Sequence, residues 1–488
     1  MTDGKFDVLI VGAGVAGAAV ARRLSRYRLD VAVLEKEVDV SFGVSKANSG
    51  IVHAGFHDVP ETLKGKLCQT GNRMFSQLHE ELDFPFERHG ELMVAFDEDE
   101  LRTLQTYHRR GLQNHVPFME MLGPDRVLEL EPNLNPDIVG ALHAPTAGVV
   151  CPYEYCFALI GNAVKNGVKL FTSQKVTWIG RTDDGFRVET EAGLKFKTRF
   201  VVNAAGLHAD EIAKLVGLTD FKIIPRKGEE YLLDRRVGSL VRKVLFPVPT
   251  PSSKGMLVIP TVDGPVMVGP TAENIDRRDD FSTTREGLKQ VFAHAQRMVP
   301  AIRSSDAITS FVGLRPVATG DDFIIGPTKV PGFINVAGIQ SPGLTASPAI
   351  AELVKDILLK EGLRLEENPA YDPRARDKFV KIRGLVEVRD FAALGQVVAA
   401  DPDYGKLVCR CENVTEAEIR AAVRAGHHTL DGVKFATRAG TGRCQGGFCG
   451  SRVMRIIHEE TGIPIEQISK KGPGSEITPI PLLKGGRR

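Results

Sequence analysis

The chain opens on a short apolar run, Phe6-Asp7-Val8-Leu9-Ile10-Val11, which stops at Gly12 and is followed by an Ala-rich stretch from Val15 to Leu24. A buried strand that feeds a glycine turn and then a helix packed closely on a sheet gives this pattern. A second apolar run, Val31-Ala32-Val33-Leu34, ends at Glu35. Strand, turn, helix and strand in this order begin a doubly wound sheet.

Between about 60 and 200, helical stretches alternate with loops that contain Pro132, Pro136, Pro145 and Pro152. From Phe200 the run Phe-Val-Val-Asn-Ala-Ala-Gly reads as a late strand of the same sheet, with a helix over Ala209 to Val216. Residues 225 to 335 read mainly as strands and turns, among them Gly255 to Pro260 and Pro265 to Gly269, and predict an antiparallel sheet. The segment Gly332 to Gly338 is strand-like again, and a loop over Ile339 to Thr345 leads to a helix near Ser347 to Leu359. The polar stretch from Glu361 to Asp377 predicts a linker, and a separate small domain follows. No internal repeat or low-complexity tract interrupts this order.

Length predicts about two to four domains for 488 residues. Apolar residues make up 42% and charged residues 25%, the mix of a folded globular protein. A net charge of +2 and the lack of a Lys/Arg block argue against a nucleic-acid partner. Residues 401 to 488 hold 14 Lys/Arg against 10 Asp/Glu, a local excess that a solvated surface explains more simply than an acidic partner does. With no apolar run of membrane-spanning length and a strand pattern that begins within six residues of the start, the expectation is a cytoplasmic protein. Four of the seven cysteines crowd into positions 409 to 449, which suits metal ligation in a reducing compartment better than a disulfide framework.

Gly12-Ala13-Gly14-Val15-Ala16-Gly17 is a G-x-G-x-x-G turn between strand and helix, with Glu35 eighteen residues past the last glycine. Glycines let a pyrophosphate approach the free N–H groups of the helix start, and the carboxylate accepts from ribose hydroxyls. The motif by itself fits FAD and NAD equally. Together with Asn203-Ala204-Ala205-Gly206 and the closing segment from Ala337 to Thr345, however, it resembles the FAD-binding elements of the D-amino-acid-oxidase superfamily over about residues 5 to 360. The resemblance implies that FAD is held by Gly12, Gly14, Val15, Ala16, Gly17, Glu35, Lys36, Ser45, Asn48, Ser49, Gly50, Val176, Ala205, Gly206, Gly343, Leu344 and Thr345. It also sets a helix start near Ser347 beside the flavin ring.

The stretch from Ser45 to Gly55 resembles glycerol-3-phosphate oxidases and dehydrogenases and also L-2-hydroxyglutarate dehydrogenases. Both classes oxidise a secondary alcohol, which requires a base for the hydroxyl proton as hydride leaves carbon. A neutral imidazole suits that task near neutral pH. Read from the residues alone, one of 12 histidines beside small residues is more often a packed side chain than a base; the resemblance makes His53 the candidate, with His57 as its rival. Arg315 matches the family's anion-binding arginine, and its planar fork grips phosphate or carboxylate through two hydrogen bonds. Lys254 is the candidate second cation, and Lys227 lies in a family-like segment whose register is shifted by one extra Glu.

Cys409-x-Cys411, a gap of 32 residues, and Cys444-x4-Cys449 give four thiolates, enough for a [2Fe-2S] cluster or a closed zinc site. Thr415 to Glu418 reads as a capping box that starts a short helix. The segments Leu430 to Lys434 and Thr437 to Gly446 resemble the bacterioferritin-associated-ferredoxin-like (BFD-like) domain, which implies a [2Fe-2S] cluster on these four cysteines. Cys68, Cys151 and Cys156 read as buried apolar residues.

The expected architecture is α/β with an α+β substrate domain: a doubly wound Rossmann-type FAD-binding domain, an antiparallel-sheet substrate domain and a small α-helical C-terminal [2Fe-2S] domain. The FAD-dependent oxidoreductase region spans 1–360, with FAD-binding parts at about 1–80, 145–220 and 325–360 and substrate-binding parts at about 81–144 and 221–324. A linker over 361–404, the BFD-like domain over 405–465 and a tail over 466–488 complete the chain. The resemblance implies oxidation of sn-glycerol 3-phosphate to dihydroxyacetone phosphate, with electrons passed through the cluster. Their acceptor would be a quinone, a second NAD(P)/FAD-dependent oxidoreductase subunit or another acceptor protein, and such a partner allows peripheral membrane association. The alternatives are a 2-hydroxy acid substrate such as L-2-hydroxyglutarate, and an electron-transfer subunit of a larger flavoprotein complex with no substrate of its own.

Overall fold

The computed structural model describes residues 4–249, 255–376 and 380–478. The chain divides into two compact units, Met1–Arg376 and Asp377–Arg488.

In the first unit the strands Lys169–Phe171, Val31–Leu34, Gly4–Val11, Lys195–Asn203 and Phe333–Ala337 run parallel, side by side in that order. Val8, Leu9 and Ile10 are completely buried, as are Ala32 and Val33. Continuous apolar runs of this kind belong to parallel strands covered on both faces. The helices Val15–Leu24, Leu63–Leu82 and Gly343–Lys360 pack together over one of those faces. Val176–Thr182 and Gly185–Thr190 extend the sheet through antiparallel pairings, and Ile324–Pro327 pairs antiparallel with the last parallel strand.

A second, nine-stranded sheet draws its strands from Glu91–Leu122, Gly140–Ala144 and Ile223–Ala318. It is antiparallel except where Val244–Pro247 runs parallel to Glu91–Ala95. Its longest pairing joins Ile223–Leu233 to Ala307–Ala318 and puts Arg226 opposite Arg315 and Lys227 opposite Leu314.

The second unit builds its core from Val408, Ile419, Val433, Ile456 and Ile457, contributed by a two-stranded hairpin and the helices Glu416–Arg424, Leu430–Thr437 and Gly450–Thr461. The capping box forms as the sequence predicts: Thr415 and Glu418 satisfy each other's backbone N–H groups at the start of the first of these helices.

Four expectations change. The region read as strands contains the helix Arg285–Met298, whose start is capped by Thr284. The helix expected near Ser347 begins at Gly343, one turn earlier, and leaves Ser347 buried inside it. The stretch taken as linker folds in part, with helices over Ile382–Glu387 and Phe391–Ala400. The stretch taken as tail is partly structured too, because Ile468 enters the core of the second unit and Ser469 bridges to Glu476.

Candidate functional site

The glycine turn has the geometry that the motif requires. Gly12 sits at φ +104°, and a Cβ there would stand 2.5 Å from the carbonyl oxygen of Ala204. A Cβ on Gly17 would stand 2.0 Å from the carbonyl oxygen of Gly12, so only glycine lets the helix rest on its own turn. Glu35 closes the turn from the second strand, accepting from the N–H groups of Ala13 at 2.7 Å and Glu37 at 2.9 Å. Burial pushes its carboxyl upward in pKa, against those two hydrogen bonds. Each carboxylate oxygen keeps a second lone pair for a ligand hydroxyl.

A cavity of about 880 Å³ begins at this turn, a volume within the roughly 300–1,000 Å³ of small-molecule and cofactor clefts. Gly12, Gly14, Val15, Ala16, Glu35, Lys36, Ser45, Asn48, Ser49, Val176, Ala205, Gly206 and Leu344 line it. Ser45 accepts from the N–H of Val15 through Oγ at 2.9 Å, and Asn48 braces its own loop by bonding the Ser45 carbonyl and the Gly50 N–H. Gly17, Gly50, Gly343 and Thr345 lie behind the lining. Gly50 is at φ +65°, and a Cβ there would meet the carbonyl oxygen of Val150 at 2.4 Å.

His53 and Arg315 line the same cavity. The backbone of His53 is held on both sides: its N–H donates to Thr345 Oγ1 at 3.0 Å, and its carbonyl accepts from Asn72 at 2.8 Å. Its ring Nε2 lies 3.3 Å from Ser341 Oγ. His57 is not part of the lining; it stacks on Phe56 and reaches Glu91 Oε2 from Nε2 at 3.4 Å. Glu91, wholly buried, also accepts from the Ala54 N–H at 3.0 Å.

Arg315 is half-buried, and its desolvation pulls the guanidinium down to about 10 while Glu230 beside it opposes the shift. It donates to the Thr271 carbonyl at 2.5 Å. Burial likewise pushes the Glu230 carboxyl up to about 7, with Arg315 and a 3.3 Å hydrogen bond from Ser49 acting in the other direction. Lys227 faces away from this pair and is engaged with Asp280 at 3.2 Å and Ser282 at 3.3 Å. Lys254 lies outside the described residues.

Glu91 and Glu230 are the residues that the sequence reading passed over. Glu91 carried a signal, as an acid heading the apolar strand Glu-Leu-Met-Val-Ala directly after a glycine. Glu230 is in the very pair of acids that clouded the register of Lys227.

In the second unit, Cys409 and Cys449 are buried together and share a hydrogen bond, and Cys411 Sγ lies 3.9 Å from Cys444 Sγ. The contact with Cys449, together with the N–H groups of Gly440, Glu412 and Cys411, brings the Cys409 thiol down to about 6 against its burial. A Cβ on Gly442 would come within 2.3 Å of Cys411 Cβ, so the loop can close on the thiols only with glycine at that position. A set of thiols that share protons and accept from backbone N–H groups suits an anionic thiolate-ligated centre.

Residues 7–357 match the family model described as FAD dependent oxidoreductase. The chain belongs to this family. Residues 407–459 match a second model, the BFD-like [2Fe-2S] binding domain. As a member of the first family that carries the second domain, the protein is an FAD-dependent oxidoreductase whose cofactors are FAD and a [2Fe-2S] cluster. It is 45% identical over 477 residues to a glycerol 3-phosphate dehydrogenase of Caloramator mitchellensis, a similarity that covers 97% of this chain and 98% of the relative. A glycerol 3-phosphate oxidase of Mycoplasma genitalium is 34% identical over 377 residues, or 75% of this chain and 98% of that one. Among solved structures, the dithionite-reduced L-alpha-glycerophosphate oxidase of Mycoplasma pneumoniae with FAD bound superimposes with a TM-score of 0.73 at 32% identity, covering 77% of this chain and 100% of that one. No described helix is long and apolar enough to cross a membrane.

Proposed function

We propose that this FAD-dependent oxidoreductase oxidises sn-glycerol 3-phosphate to dihydroxyacetone phosphate and delivers the electrons through its cluster to a partner. The observation that carries the proposal is that one cavity joins a dinucleotide turn, an imidazole and a half-buried arginine. Near-full-length similarity to a glycerol 3-phosphate dehydrogenase supports the choice of substrate.

When bound, FAD supplies a two-electron acceptor of hydride and the cluster a one-electron carrier. The chain's own groups supply the rest. The start of the helix Val15–Leu24 and the turn Gly12–Gly17 receive the pyrophosphate, and Glu35 receives the ribose. Arg315 binds the phosphate of the substrate through charge-assisted hydrogen bonds and sets the orientation of its secondary hydroxyl. Nε2 of His53 takes the hydroxyl proton, so the C–O⁻ that develops can expel hydride from carbon. Cys409, Cys411, Cys444 and Cys449 ligate the cluster, and Lys254 assists Arg315 as the second cation. The electron acceptor in this scheme is a second NAD(P)/FAD-dependent oxidoreductase subunit, another acceptor protein or a quinone.

The test is anaerobic addition of sn-glycerol 3-phosphate to the purified holoenzyme, with flavin bleaching followed by absorbance. Bleaching within seconds supports the proposal. Bleaching by L-2-hydroxyglutarate alone assigns the other alcohol, and an inert flavin with both substrates makes the chain an electron-transfer subunit.

A further inference from the structure

Two buried side chains, Glu91 and His57, meet directly behind His53. Glu91 Oε2 lies 3.8 Å from His53 Nδ1 and 3.4 Å from His57 Nε2, and the rings of the two histidines meet edge to face with centroids 5.2 Å apart. The side chain of His53 is about nine-tenths buried, and its Nδ1 has no hydrogen-bond partner among the described residues. The other ring nitrogen of His53 points toward Ser341 at the cavity.

We propose that Glu91 is a positioning residue for His53: it holds His53 and His57 in one set and balances the positive charge that His53 gains on taking the substrate's hydroxyl proton. The proposal rests on His53 being the base. In that step the substrate O–H bond breaks, its proton bonds to Nε2, and its electron pair stays on oxygen. The imidazolium then carries hydrogen on both ring nitrogens, and its Nδ1–H faces the Glu91 carboxylate.

Glu91 is suited to this because it is ionised. Burial alone would raise its pKa, yet His57 and His53 outweigh burial and bring it down to about 2. Few other charges compete. The helix Glu98–Gln113 offers Arg110, which is spent on the His57 carbonyl at 2.9 Å, and Tyr107, whose ring is 6.3 Å from that of His57. From Leu63–Leu82, Cys68 and Asn72 donate to the His53 carbonyl. The second sheet contributes the apolar ring of Phe246. Lys64 and Asp58 stand along the cavity wall.

His53, His57 and Glu91 also have the donor set of a cation site, with ligand atoms within 4.8 Å of one another. The experiment must therefore separate a shared proton from a metal. Anaerobic flavin reduction by glycerol 3-phosphate is followed from pH 5.5 to 9 in the wild type, Glu91→Gln and Glu91→Asp, and the ¹³C-labelled histidine rings are titrated by NMR in the FAD-loaded resting proteins. His53→Ala identifies the His53 resonance.

The expected result for Glu91→Gln is a reduction rate at neutral pH at least ~10-fold lower, with the acidic limb of the profile displaced to lower pH because the stabilising anion is gone. The His53 ring signal should titrate at correspondingly lower pH, KM should change little, and Glu91→Asp should recover part of the rate. An unmoved ring titration, or a slower rate without a shift in the profile, overturns the proposal. Activity lost to a chelator and restored by Zn²⁺ overturns it as well. A normal reduction rate in His53→Ala removes the base instead, a failure that the ring titration distinguishes from a failure of the Glu91 contact. Should neither Glu91 variant fold, His57→Asn provides the remaining readout: its His53 signal must move from the wild-type position, and an unmoved one overturns the proposal.

Discussion

Thr345 holds His53 in place from the other end of the fold. Its Oγ1 accepts the His53 N–H at 3.0 Å and donates to the Ile51 carbonyl at 3.2 Å, so the helix that begins at Gly343 is tied to the segment that carries the imidazole. Thr345→Val keeps the volume and removes both bonds, which leaves a buried N–H unsatisfied. The expected loss is about 1–3 kcal/mol of stability, read as a lower midpoint in denaturant, together with slower flavin reduction.

His53→Ala should slow anaerobic flavin reduction by roughly a hundredfold or more, as loss of a general base does. FAD content should not change, because His53 lies outside the turn from Gly12 to Gly17. Stopped-flow absorbance measures the rate, and the flavin released on denaturation measures the content. A rate equal to wild type would move the role of base elsewhere.

Arg315→Ala should act on binding. The loss of two charge-assisted hydrogen bonds at about 1.5–3 kcal/mol each raises KM for glycerol 3-phosphate by more than tenfold. Arg315→Lys keeps the charge without the fork and should fall between the two. Steady-state kinetics with an artificial acceptor separate KM from kcat.

The pH dependence of binding should come from Glu230. Burial raises its carboxyl to about 7, so below that pH it is neutral and Arg315 presents its full charge. As pH rises through 7 the acid ionises beside Arg315 and repels an anionic substrate, which raises KM. Glu230→Gln should flatten that rise and leave KM near its low-pH value, as a KM profile from pH 6 to 9 would report.

Cys409→Ser should cost the protein its cluster and leave FAD bound, since the four thiols lie in the unit Asp377–Arg488 and the glycine turn in Met1–Arg376. Anaerobically prepared wild type should contain about two irons per chain, the content of one [2Fe-2S] cluster. Iron analysis and the flavin spectrum of the same sample check both statements. Zinc without iron in the wild type would contradict them.

Much of this protein was legible in one dimension. The strand, glycine turn and helix from Gly4 to Leu24 fall where the apolar pattern puts them, and so do the capping box at Thr415 and the strand Val31–Leu34. A turn that cradles phosphate and a pair of cysteines on one short loop are built by neighbours in sequence, so their spacing records their geometry. The helix Arg285–Met298 escaped because it sits among strands, although its buried Val291, Ala295 and Met298 keep helical spacing.

What the sequence by itself determined was therefore the set of locally encoded parts: the doubly wound opening, the four-thiol domain, and His53 and Arg315 as candidates through family resemblance. Tertiary structure alone decided which acids stand behind those candidates. Glu91 is 38 positions from His53 and Glu230 is 85 from Arg315, and no periodicity links either pair. Glu230 and Arg315 meet because they lie on paired strands of the second sheet. Glu91, on another strand of that sheet, meets His53, which follows the short strand Ile51–Val52 of a separate sheet. There desolvation and charge set how readily each carboxyl ionises, and both depend on neighbours that only folding supplies.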